Sequence, residues 1–284
     1  MQVVFWGVRG SIPVAGKDTV KYGGNSSCVE VRSPGADPVV LDCGSGARAL
    51  GVHLLGQPAR KLDLLFTHFH IDHVLGYPFF GPIFIPSYQL RVHAPAASAA
   101  EIKDRLANFL NGIFHPLRVP DVPAKIEYLA LKAGQRFQLG EYDVLAVHLS
   151  HPGRAVGYRI ARNNRAFCYL TDTSPYEGLK GLTSGDEPLP SERALIEAMR
   201  GTDLVVFDTM FSRAAYMERM TWGHSFPEFA VELCRKAGVP RLYLFHHAPD
   251  ATDTMLDDLQ KKWETHTSPI VRIAMEGEIV DLEG

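Results

Sequence analysis

The run Leu62-Asp63-Leu64-Leu65-Phe66-Thr67 leads directly into His68-Phe69-His70-Ile71-Asp72-His73, and this junction constrains the fold more than any other stretch of the chain. The mainly apolar run reads as a buried strand. Three imidazoles and a carboxylate within the next six residues read as a metal site at that strand's end. A strand places alternate side chains on one face, so His68 and His70 can converge on one ion. Asp72 and His73 come after the chain turns and can reach a second ion beside the first. Neutral imidazole and carboxylate suit zinc, with manganese or iron as substitutes.

The size and chemistry of the chain narrow what can surround such a site. At 284 residues with 46% hydrophobic content, one compact domain over residues 1–284 with a substantial core is expected. A formal net charge of -3 gives no general attraction to nucleic acid or to a membrane surface, which counts against a large RNA substrate. Cys28, Cys43, Cys168 and Cys234 are far apart, form no C-x-x-C pair and sit in apolar or strand-like contexts, so buried thiols in a reducing compartment are expected. The start of the chain lacks a signal-peptide pattern, and no run of about 18 apolar residues occurs. A soluble, cytoplasmic protein is the expectation.

Short strand-like segments recur through the chain, and several end in a residue that chemistry can use. Val39-Val40-Leu41 leads to Asp42, where an unpaired charge would be costly, so Asp42 is read as support for the site. Ala166-Phe167-Cys168-Tyr169-Leu170 precedes Asp172, Leu204-Val205-Val206-Phe207 delivers Asp208, and Leu242-Tyr243-Leu244-Phe245 ends in His246-His247. Asp42, His68, Asp172, Asp208 and His246 thus share the C-terminal rim of their strands, where sites assemble in sheet proteins covered by helices. Ser98 with Glu101, and Ser225 with Glu228, have capping-box spacing ahead of helices. The loops around Arg9 and Gly23–Ser27 could contact a ligand, with a surface charge as the alternative for Arg9. The aromatic and proline-rich stretch Phe79–Pro86 could wall a pocket or pack in the core. The stretch from Ser174 to Pro190 reads as a loop that could form part of a lid. His53, His93, His115 and His266 read as ordinary core or surface histidines.

The pattern H-x-H-x-D-H, followed in order by single His, Asp and His positions at strand ends, resembles the metallo-β-lactamase fold superfamily over nearly the whole chain. The resemblance implies an α/β fold, an αββα sandwich with two mixed β-sheets packed face to face and helices on both outer faces. It implies one divalent ion held by His68, His70, His151 and Asp172 and another by Asp72, His73, Asp172 and His246, with Asp172 and a water or hydroxide between them. Zinc is the expected metal, with Mn2+ or Fe2+ as alternatives. His148 competes with His151, and the following Pro152-Gly153 and Gly157–Ile160 favour His151. His247 competes with His246, and family spacing favours His246.

Two divalent ions, two aspartates and a hydroxide leave about one net positive charge, which welcomes an anion. Metal-coordinated water titrates near neutrality, and paired ions steady attacking and leaving oxygens, so phosphodiester hydrolysis fits. Asp72 would orient or deprotonate the water. Trp222-Gly223-His224-Ser225 resembles the histidine motif of the phosphodiesterase branch, which includes tRNA 3′-processing endonucleases and phosphonate-operon phosphodiesterases. That resemblance implies His224 as a phosphate contact or leaving-group acid, with Asp208 holding its tautomer. The long arm of the tRNA enzymes is missing, so a small anionic phosphodiester, such as a cyclic nucleotide or nucleotide-derived diester, is preferred. The alternatives are a tRNA 3′-processing-type endoribonuclease, or a lactonase or thioesterase using the same metals. A homodimer is common in the family, but no interface is readable.

Overall fold

The computed structural model describes residues 1–175 and 190–283. The first part of the chain forms strands β1 (Gln2–Gly7), β2 (Cys28–Arg32) and β3 (Val39–Leu41), helix α1 (Ala47–Leu55), strand β4 (Lys61–Leu65), the single turn α2 (Ile71–Val74), β5 (Gln89–Pro95), α3 (Ala99–Ala107) and β6 (Lys125–Leu131). The second part forms β7 (Arg136–Leu139), β8 (Tyr142–His148), β9 (Val156–Arg162), β10 (Arg165–Leu170), α4 (Pro190–Met199), β11 (Leu204–Asp208), α5 (Arg213–Glu218), α6 (Pro227–Ala237), β12 (Arg241–Phe245), α7 (Asp253–Trp263) and β13 (Ile270–Ile273), with β14 (Ile279–Asp281) last. Residues 176–189, which include most of the expected lid loop, lie outside the described residues.

The chain divides into two compact units. Unit 1 takes Met1–Ala15, Gly23–Lys132 and Met275–Asp281, and its seven strands run in the order β14-β1-β2-β3-β4-β5-β6. Pairing is antiparallel from β14 to β3 and parallel from β3 to β6. Unit 2 takes Gly16–Tyr22, Ala133–Ala274 and Leu282–Gly284, and its seven strands run β13-β12-β11-β10-β9-β8-β7. There the pairing is antiparallel from β7 to β10 and parallel from β10 to β13. Each sheet is therefore mixed, with one strand, β3 or β10, at which the sense changes.

β3, at one of those changes, and β11, next to the other, are buried along their length, as the uninterrupted runs Val39-Val40-Leu41 and Leu204–Phe207 require. In unit 1 a core of Leu50 and Leu54 from α1, Leu64, Phe66, Tyr77, Phe80 and Val92 packs beneath the sheet. Helix α3 starts as its sequence anticipates, the Ser98 hydroxyl accepting from the Glu101 backbone N–H at 3.2 Å. In unit 2, α6 packs on β11, β12 and α4. Its start departs from expectation. Pro227 occupies the first helical position, where its missing N–H is no loss, so Phe226 becomes the cap. Ser225 falls one residue early, and its buried hydroxyl has no hydrogen-bond partner among the described residues. All four cysteines are free thiols and buried. No described helix is long and apolar enough to cross a membrane.

Candidate metal and catalytic site

Unit 1 gathers one donor set on the turn after β4. His68, Asp72 and His73 are buried and His70 is exposed. The His68 ring centroid lies 4.4 Å from that of His70 and 4.3 Å from that of His73, while Asp72 Oδ2 is 3.3 Å from His73 Nε2. The Ser11 backbone N–H donates to Asp72 Oδ2 at 2.7 Å, so the loop after β1 fixes the carboxylate's orientation.

Asp42, fully buried after β3 with a φ of 58°, accepts from Thr67 N–H at 2.7 Å, from the Thr67 hydroxyl at 3.0 Å and from His73 Nδ1 at 2.8 Å. A positive φ in a residue other than glycine is uncommon and here aims the carboxylate back at the turn. Thr67 also lies 3.1 Å from His68 Nδ1, where its hydroxyl oxygen can accept while its proton serves Asp42. Thr67 is the supporting residue that reading the sequence passes over. Its signal is a hydroxyl two residues past a buried strand, immediately before the first histidine. The turn is held close to the segment after β3, since Gly76 N–H donates to Cys43 carbonyl at 2.9 Å and Cys43 N–H to His73 carbonyl at 2.7 Å. A Cβ on Gly76 would collide with the Gly44 carbonyl oxygen, which is why glycine stands there.

Arg9 is not a surface charge. It is completely buried, and its Nε donates to the Gly23 carbonyl at 2.7 Å, tying together the two loops expected to meet a ligand. Asn25 in the second loop is in turn held by Glu276, its side-chain amide donating at 3.0 Å. Burial raises the Glu276 carboxyl above its ordinary pKa, against the lowering effect of those Asn25 hydrogen bonds.

Unit 2 gathers a second set at the ends of β10, β11 and β12. Asp172, at a φ of 58°, has Oδ1 3.1 Å from His246 Nε2 and Oδ2 3.8 Å from His151 Nε2. His246 also has a positive φ, 63°. Its neighbour His247 points elsewhere, Nε2 lying 2.8 Å from the Ala274 carbonyl. His148 is exposed on β8. His151 Nδ1 donates to the Gly223 carbonyl at 2.9 Å. Asp208 accepts from Thr173 N–H at 3.1 Å, from Met210 N–H at 3.0 Å and from His224 Nδ1 at 3.0 Å. His224 is stacked on His246 at 5.0 Å, and its Nδ1 is 3.9 Å from Asp172 Oδ2. Donor atoms of Asp208, His224 and His246 all lie within 4.8 Å of one another.

The remaining histidines are occupied in packing. His93 is buried 3.1 Å from Asp63, His53 packs on Trp6, His115 lies against Phe79 and Phe84, and His266 Nδ1 meets the Pro269 carbonyl at 2.7 Å.

The donor chemistry suits divalent metal ions. His73, His68 and His151 each engage Nδ1 with a protein oxygen, which selects the tautomer whose Nε2 carries the lone pair a metal needs.

Residues 38–247 match the family described as the β-lactamase superfamily domain, and the chain belongs to that family. It has the metallo-β-lactamase fold and is a hydrolase of that fold. Among similar proteins, a ribonuclease Z of Thermoplasma acidophilum is 26% identical over 273 residues, spanning 81% of this chain and 84% of its own. Among solved structures, the metallo-β-lactamase fold protein YhfI of Bacillus subtilis superposes with a TM-score of 0.71 at 21% identity, covering 98% of each chain. A diphosphatase from the PhnP family superposes with a TM-score of 0.69 at 17% identity, covering 99% of this chain and 97% of that one.

Proposed function

We propose that the chain is a dinuclear metal-dependent phosphodiesterase acting on a small anionic phosphodiester, such as a cyclic nucleotide or nucleotide-derived diester. His68, His70, His151 and Asp172 would hold one ion, and Asp72, His73, Asp172 and His246 the other, with zinc first among the candidates. Bound divalent ions would supply Lewis acidity and a water that loses its proton near neutral pH.

The observation that carries the reading is the Asp208–His224 pair at 3.0 Å, beside Asp172. Asp208 keeps the His224 proton on Nδ1 in the neutral ring and stabilises the imidazolium. Proton exchange with a substrate oxygen then falls to Nε2. A departing alkoxide needs such an acid, whereas the thiolate expelled from a thioester has less need of it. Asp72, steadied by Ser11 N–H, orients or deprotonates the attacking water. The relative named ribonuclease Z and the PhnP-family diphosphatase support chemistry at phosphorus. The relative's name also supports a second reading, endonucleolytic processing of tRNA 3′ ends.

Hydrolysis of bis(p-nitrophenyl) phosphate by metal-reconstituted protein tests the proposal, with Asp172→Ala as the control for contaminating activity. Turnover that depends on Asp172 supports it, and His224→Ala, with both metals still bound, should cost far more on a cyclic nucleotide, whose leaving alkoxide needs a proton, than on bis(p-nitrophenyl) phosphate, whose leaving p-nitrophenolate does not. No turnover by protein shown to hold two metals would overturn it in favour of thioesters and lactones. Cyclic nucleotides and precursor tRNA, assayed next, separate the two diester readings.

A further inference from the structure

We propose that Trp222, Phe211 and Arg219 form a nucleobase-binding subsite beside His224, so that the diester acted on carries a purine or pyrimidine. The inference rests on the phosphodiesterase reading of the same site and names its substrate class.

Trp222 is 60% exposed, a large apolar ring left in water two residues before His224. An exposed apolar side chain standing singly would need no explanation. This one belongs to a connected set. Phe211 meets the Trp222 ring edge-on at 6.2 Å and the His224 ring edge-on at 5.7 Å. The Arg219 guanidinium lies 6.0 Å from the Phe211 centroid and 5.7 Å from that of Trp222. Met220, 45% exposed, lies on the same segment.

The backbone holds these rings in place. Phe211 N–H donates to the Ser225 carbonyl at 3.0 Å and Trp222 N–H to the Arg219 carbonyl at 3.0 Å, so Phe211, Arg219, Trp222 and His224 sit on one folded-back segment after β11. Aromatic faces with an arginine among them are the surface on which bases stack, because every base has a π-face and the guanidinium adds cation–π attraction. An aliphatic diester would gain nothing from the indole. The placement beside His224 puts the base on the side of the alcohol that His224 would protonate.

Binding to the metal-loaded, full-length chain tests this by comparing adenosine 5′-monophosphate with ribose 5-phosphate, in which a hydroxyl stands at C1 in place of the base. Calorimetry should show the nucleotide bound roughly tenfold more tightly, the modest end of what one stacked base supplies. Trp222→Ala should bring the ratio close to one without weakening ribose 5-phosphate. Trp222→Phe, which retains a ring, should keep most of it. A ratio near one in the wild-type protein, or a ratio that survives Trp222→Ala, overturns the inference. Running a short RNA alongside the mononucleotide tells which source of the base is preferred, and the Trp222-dependent part carries the inference for either. Absence of bis(p-nitrophenyl) phosphate turnover would strike the diesterase reading instead, because the base-dependent ratio is a binding measurement.

Discussion

At the level of single residues, the donor sets are built from side chains whose positions depend on neighbours that hold no metal in the proposed scheme. Thr67 is the sharpest case, since its one hydroxyl lies within hydrogen-bonding reach of both Asp42 and His68. Thr67→Val keeps the shape and removes the hydroxyl. Loss of such an orienting partner typically costs about 10- to 100-fold in metal affinity. A drop of that size is expected in competition with a chromophoric chelator, with little change in the far-ultraviolet dichroism. Asp42, Asp172, Asp208 and His246 were readable because a polar residue ending a buried run needs a reason. Arg9 was not, since burial of a lone arginine depends on a loop carbonyl fourteen residues away in sequence. The thiols permit a further prediction. Burial raises Cys28, Cys43, Cys168 and Cys234 above the ordinary range, Cys168 to about 12. A raised thiol pKa means the folded protein holds its proton more tightly than the unfolded chain. That contribution is fully present below the unfolded value of about 8.5 and is lost as pH rises through the folded one. The urea midpoint should therefore fall between pH 8 and pH 10. At pH 8 the folded protein should react with a thiol reagent only as fast as it unfolds.

At the level of elements, two helix starts that each have a hydroxyl residue nearby differ in energy. Thr252 caps α7, its hydroxyl accepting from Met255 N–H at 3.3 Å, so Thr252→Ala should cost about 1 kcal/mol in urea unfolding. Ser225 had the better-looking signal, a serine three residues before a glutamate, but Pro227 shifts the helix start past it. Its hydroxyl is buried without a partner among the described residues, so Ser225→Ala should be neutral or slightly stabilising. Capping-box spacing fails here because proline, fixed at the first helical position, outranks a serine two residues upstream. The turn before α6 has another requirement. Gly223 has a φ of 85°, and a Cβ there would run into the His151 ring whose Nδ1 its own carbonyl receives. Gly223→Ala should therefore displace His151 and lower kcat on bis(p-nitrophenyl) phosphate by about 100-fold, the scale of a misplacement near 1 Å. A variant with unchanged kcat would show that His151 is not held by this turn.

Across the whole molecule, each sheet changes from antiparallel to parallel pairing at one strand, and each such strand, β3 or β10, is followed within two residues by an aspartate with a φ of 58°. The strand ends could be read from hydrophobic runs, but the pairing could not. β1 takes as neighbours β2 and β14, and Gln2 sits opposite Asp281, a separation no local pattern encodes. Charge, in contrast, is fully legible, and it decides an experiment between the two diester readings. A protein of net charge -3 has no surplus of cations to spread over a long RNA. A binder making about 6 to 10 phosphate contacts loses roughly 10³- to 10⁵-fold in affinity between 50 mM and 200 mM salt, because each contact releases condensed counterions. A small diester has one phosphate and releases almost none. If small nucleotides are the substrate, kcat/KM on a cyclic nucleotide should change by less than about threefold over that range. Efficient cleavage of precursor tRNA with a steep salt slope would instead show that local basic patches overcome the net charge, and would give the tRNA reading precedence.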